Sequence, residues 1–141
     1  MEEYMIRVGR GMAKRILDGE LKRIVTETAP LNLIDREEPA RCYLFESRVD
    51  GGEGMVVGEV LCTKIGYMTN TRRAVARGQQ ELCPGDQIKQ AHGKKCKRVW
   101  DLEEPARYQE PKKIGTFGLY AAPAVWCRAK RKDEPDEKND K

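Results

Sequence analysis

Histidine is almost absent from this chain. Its 141 residues hold one, His92, and two phenylalanines, and aromatic residues together make up 6%. A single histidine in the loop-like context QAHGKK leaves little for general-base or nucleophilic chemistry, because a Cys–His pair needs a cysteine folded beside it. No apolar run approaches the roughly 20 residues of a membrane helix. The opening MEEYMIRVG has no basic stretch followed by an apolar one, so no secretory leader is read there and a cytoplasmic chain, with no membrane partner, is expected. The five cysteines are an odd count, which argues against a disulfide framework. Cys42 and Cys62 sit in apolar runs and Cys127 follows Trp126, the setting of thiols that act as small hydrophobes. A C-x-x-C knuckle is missing as well. Cys83, His92 and Cys96 fall close together, with Cys62 or Cys127 to close a tetrahedron, but their spacing is not that of a short-range zinc chelate. Neither a metal nor a cofactor is expected. Internal repeats are also lacking.

What remains is a small, highly charged chain. The length fits one domain with a core of its own. Charged residues make up 35%, and the net charge is +4. The segment from Lys130 is balanced in sign and poor in apolar residues, and it reads as a disordered charged tail, leaving residues 1–129 as the domain. The positive excess lies in two places. Arg7, Arg10, Lys14, Arg15, Lys22 and Arg23 crowd the N-terminal part; Lys89, Lys94, Lys95, Lys97 and Arg98 follow Asp86 with no acid between. Such clusters attract polyphosphate, though a solvated face on a mildly basic protein is the plainer reading.

YMIRV reads as a first strand. MAKRILD reads as a short helix whose Met12–Ile16 and Ala13–Leu17 pairs share a face. Gly19 suits the left-handed residue that ends it. KRIVTET and RCYLFES are strands; in the second, Cys42 and Leu44 point one way and Tyr43 and Phe45 the other. MVVGEVLCTKI is the strongest strand, with a bend or bulge expected at Gly58. A helix is expected over residues 70–83 and one more helical turn over 86–93. CKRVWDL is a strand, EEPARYQEPKKIGTFG a proline-punctuated connection, and APAVWCRAK the last strand. The sum is an α+β chain: a small open barrel of five or six mostly antiparallel strands with two or three flanking helices.

The order of these motifs carries a resemblance. ILDGE runs from helix into strand, YLFES precedes a glycine turn and VVGEV, then come WDLEEPARYQEP and AAPAVWC. Over residues 5–128 this resembles the ASCH domains of the PUA-like superfamily. The resemblance implies a pseudo-barrel with a cleft between the first helix, the strand after Gly19 and the barrel mouth, where PUA-like domains bind RNA or a modified base. Some ASCH proteins are similar to amidohydrolases acting on an acylated cytidine, and others are linked to RNA cleavage. The family signature sets a Lys two residues after the Gly, a polar residue three further on, and an Arg two after that. Here those positions hold Leu21, Ile24 and Thr26, and Lys22 comes one residue late, on the other face of a strand. Near the C-terminus, Pro-Gln-Ser-Trp-Cys of the relatives is Pro123-Ala124-Val125-Trp126-Cys127.

The leading expectation is an RNA- or nucleotide-binding module without catalytic activity. Phosphates would lie along Arg10, Lys14, Lys22 and Arg23, and a base in a cleft bounded by Thr26, Ser47, Arg48 and Thr63. Lys64, Tyr67 and Trp126 stand nearby. Trp100 and Trp126 are more often core than stacking platform in a small barrel. One alternative is an amidohydrolase or nuclease acting on modified nucleosides or RNA, with Lys22 and Glu59 as its pair. Glu59 alternates with Val57 and Leu61; turned inward it needs a partner, for which Lys22, Lys64 or a backbone amide would serve. The other alternative is a protein-interaction accessory protein of a phage or mobile element.

Overall fold

A computed structural model of the chain describes residues 1–33, 38–49, 51–68 and 97–133. Within them lie strand β1 (Glu3–Val8), helix α1 (Arg10–Leu17), and strands β2 (Arg23–Thr26), β3 (Ala40–Glu46), β4 (Met55–Met68), β5 (Lys97–Lys112) and β6 (Trp126–Arg128). They form one six-stranded sheet in the order β2-β5-β4-β3-β1-β6. All pairings are antiparallel except that of β1 with β3, so the sheet is mixed. It curls into half a barrel. One α-helix stands among the described residues, together with short 3-10 turns at Leu31–Leu33 and Ile114–Phe117. The helices expected over 70–83 and 86–93, the basic residues Lys89, Lys94 and Lys95, and Cys83, His92 and Cys96 lie outside the described residues.

Helix α1 ends as its sequence predicts. Gly19 is left-handed (φ 82°), its N–H donates to the Ile16 carbonyl, and the Glu20 N–H donates to the Arg15 carbonyl. That double closure lets the chain reverse straight into β2. Ala13, Ile16 and Leu17 are buried, and Met12 packs against the same core.

The sheet curls because its long strands are bulged. The β3–β4 pairing shifts at Leu44/Phe45, and the β4–β5 pairing shifts at Val56/Gly58, Glu59/Leu61 and Cys62/Lys64. Gly58 is needed at its bend: a Cβ there would lie 2.6 Å from the Ala106 carbonyl oxygen and 2.7 Å from a Leu17 methyl. The glycine is thus where α1 presses onto the sheet.

Strand β5 differs from expectation. The connection read from its prolines is the continuation of the strand, which runs through Pro105 and Pro111 to Lys112. Leu61 pairs with Glu103 and Glu59 with Ala106, so Val60 faces two residues, Glu104 and Pro105. The missing Pro105 N–H falls in the bulge, where no ladder bond is lost. Glu104 takes a left-handed conformation (φ 53°), the one non-glycine to do so among the described residues.

Both faces of the sheet are apolar. On the face covered by α1, Tyr4, Ile6, Cys42, Leu44, Val60 and Trp100 form the larger core. On the other face Met5, Tyr43, Phe45, Val56, Tyr108 and Phe117 form a second one. Cys42/Leu44 and Tyr43/Phe45 divide as the alternation predicts. The last strand is shorter than APAVWCRAK suggested, and residues 130–133, read as the start of a tail, pack on the second face. The Lys130 N–H donates to the Phe117 carbonyl and the Lys132 N–H to the Thr116 carbonyl. None of the helices described is long and apolar enough to cross a membrane.

Candidate functional site

A cleft of about 540 Å³ opens where α1 ends and β2 begins, against the bulge of β5. Its apolar walls come from Ile16, Leu21, Val60, Leu102 and Pro105, and Gly19 lies at its lip. Its polar groups are Lys22, Arg23, Asp101, Glu103 and Glu104. Three carboxylates against two cations make the lining mixed, not basic. Arg23 Nε lies 2.7 Å from Asp101 Oδ1 and is neutralised there. The Leu102 N–H donates to the Lys22 carbonyl at 2.8 Å, which extends the β2–β5 pairing and seats Lys22 beside the carboxylate-bearing bulge.

Lys14, upstream on α1, is also paired. Lys14 Nζ lies 2.7 Å from Asp18 and Arg107 lies 2.9 Å from the same carboxylate. The hydrogen bond from Lys14 holds the Asp18 carboxyl below its ordinary range. Arg10 is exposed on the first turn of α1. Burial raises the Glu46 carboxyl, and the charge of Arg10 partly offsets this.

The other residues named from the sequence scatter. Thr26 pairs with Arg98, which pairs with Tyr67, at one end of the sheet. Ser47 and Arg48 follow Glu46, which pairs with Met55 at the other end. Some twelve residues of β4, about 40 Å of strand, separate the two ends. Thr26 accepts the Trp100 Nε1–H at 2.7 Å. Ser47 is buried and its Oγ accepts the Val49 N–H, while Arg48 donates to the Glu53 carbonyl. Thr63 is the unpaired residue of a bulge, between Cys62–Leu102 and Lys64–Asp101. Lys64 is exposed and in register with Asp101. Tyr67 lies on β4, its side chain outside the described residues. Trp126 is half-buried, packs edge-on to Tyr4 with centroids 5.9 Å apart, and donates to Thr28 Oγ1 at 3.1 Å. Trp100 is fully buried.

Lys22 and Glu59 are not brought together. Lys22 shares the cleft with Val60, while Glu59, the next residue along β4, faces the other side of the sheet. There Glu59 is buried and accepts from Arg41, from the Tyr108 hydroxyl at 2.9 Å and from Arg131 at 3.1 Å. The partners expected for it, Lys22, Lys64 or a backbone amide, are replaced by these three. Leu21 and Ile24 are buried in the larger core; Leu21 also lines the cleft and Ile24 does not. Among the described residues no group of three or more His, Cys, Asp or Glu side chains is arranged to hold a metal ion. Sequence patterning hides the carboxylates that share the cleft with Lys22, because EEP reads as part of a connection; the acid run after Trp100-Asp101 is the available signal.

With this geometry in view, the fold can be placed. It is similar to the crystal structure of ASCH from Zymomonas mobilis, with a TM-score of 0.70 at 15% identity, covering 99% of this chain and 92% of that one. Two single-substitution variants of that protein, one serine-to-alanine and one tyrosine-to-phenylalanine, match with a TM-score of 0.70 at 16% identity, covering 90% and 91% of this chain and 87% and 90% of theirs. No protein-family model matches the chain, and no curated protein matches it. The class is thus an ASCH-like fold, built on a six-stranded half-barrel.

Proposed function

We propose that this chain is an RNA- or nucleotide-binding module without catalytic activity, with its ligand in the cleft at the end of α1. One observation carries the reading: in an ASCH-like fold, a cleft within the size range of small-ligand sites sets Lys22, unpaired among the described residues, beside apolar walls. A base fills the apolar part, and Lys22 donates to an acceptor oxygen of the ligand. Lys14 and Arg23 are already neutralised, so phosphate contacts are few and binding depends weakly on salt. In fluorescence anisotropy with a labelled mixed-sequence single-stranded RNA, Lys22→Ala should weaken binding roughly tenfold. The slope of log affinity against log salt should be no steeper than about −1. Wild-type affinity in the Lys22→Ala variant would remove the cleft from the binding surface.

A second reading, hydrolysis of a modified nucleoside, is favoured by the presence of Glu103 and Glu104 beside Lys22. Against it, Leu21 and Ile24 stand where the resemblance sets a lysine and a polar group. Turnover of acylated cytidine that is lost in Lys22→Ala with folding intact would establish the enzyme; no turnover is the expected result.

A further inference from the structure

The cleft carries charges of both signs beside an apolar wall. Arg23 is taken by Asp101. Lys22, Glu103 and Glu104 line the cleft, and their side chains make no hydrogen bond or ion pair among the described residues. The β2–β5 pairing brings their segments to the same cleft, the Lys22 carbonyl accepting from the N–H of Leu102, immediately before Glu103. The bulge then turns Glu104 and Pro105 opposite Val60, an apolar wall of the same cleft.

An ammonium next to carboxylates over an apolar wall is complementary to a flat heterocycle with an acceptor next to N–H donors. Among the RNA bases guanine alone has that edge: O6 accepts, and N1–H and the N2 amino group donate side by side. Uracil sets one N–H between two carbonyls. Adenine and cytosine set an amino group beside a bare ring nitrogen, whose lone pair faces a carboxylate unfavourably. A carboxylate takes two parallel N–H bonds well, as it does from arginine. It also repels phosphate, so the base enters and the phosphate stays in solvent. Resting on the binding reading above, we propose that the cleft is a guanine-selective nucleotide site. The Glu103–Glu104 carboxylates accept from N1–H and N2, and Lys22 donates to O6.

The test is calorimetric titration of the full chain with GMP, IMP, AMP, CMP and UMP. GMP should bind about tenfold or more tighter than AMP, CMP and UMP, and IMP, which lacks the N2 amino group, should fall between. The Glu103→Gln, Glu104→Gln double variant should lose the preference. Glu103→Gln alone should reduce it, and this variant leaves the left-handed position untouched should the double variant fold poorly. Equal affinities, or a pyrimidine preferred over GMP, would overturn guanine selectivity and leave nucleotide binding standing. Failure of every nucleotide and of RNA to bind would overturn the binding reading itself.

Discussion

Carboxylates on the two sides of the sheet meet opposite fates. Glu59, on the side away from α1, is buried and held by Arg41, Tyr108 and Arg131; Glu103 and Glu104, at the cleft, are exposed and hold nothing. A buried carboxylate is tolerable only when its lone pairs are filled, so Glu59 is spent on the fold. An exposed one costs nothing unpaired and stays available to a ligand. The residue that looks most catalytic by burial is therefore held by the fold, and the proposed binding site draws on residues that look ordinary. Arg131 also lies 5.0 Å from the Tyr108 ring centroid and its N–H donates to Glu3, so a residue from the apparent tail completes the second face.

The comparison breaks most sharply at that residue. Arg131→Ala should cost about 3 kcal/mol in urea unfolding, the low end for opening a buried pair, since Arg41 and Tyr108 stay on Glu59. Nucleotide affinity in the folded protein should be unchanged. An equal loss of binding would mean the two faces are coupled. Gly58→Ala should cost about 2 kcal/mol, because its Cβ meets backbone at Ala106 as well as Leu17; here the cleft wall moves too, and affinity should fall with stability.

pH separates the faces next. Burial raises the Tyr43 and Tyr108 phenols above their ordinary value, helped by the Glu3 and Glu59 carboxylates respectively. Unfolded, both ionise near pH 10. Their contribution is therefore fully present below pH 10 and is lost as pH rises beyond it. The urea midpoint should fall above about pH 10, and these two phenols should ionise, by absorbance, only as the chain unfolds. Ionisation at pH 10 in the native state would show the second face to be open. The smallest effect belongs to the surface: Lys14→Ala should not measurably shift the unfolding midpoint, because an exposed i,i+4 pair gains little over water.

Periodicity and backbone chemistry were enough for much of the fold. The helix 12–18 with its glycine stop, the alternation in RCYLFES and the bend at Gly58 all follow from rules acting within a few residues, and each is present as α1, β3 and β4. The order of motifs carried the likeness that the ASCH structure of Zymomonas mobilis bears out. Local rules misread EEPARYQEP, since only pairing with β4 makes two prolines compatible with a strand. They also could not say which charges stay free. Arg23 is neutralised by Asp101, Glu59 by Arg131, and Lys22 is left beside Glu103 through contacts between residues distant in the chain. Sequence determined the helix, most of the strands and the bend at Gly58 because hydrogen-bond and packing periods are short-ranged; tertiary structure decided the run of β5 and the charges of the candidate cleft because strand pairing, ion pairing and desolvation depend on which distant residues arrive within a few ångströms.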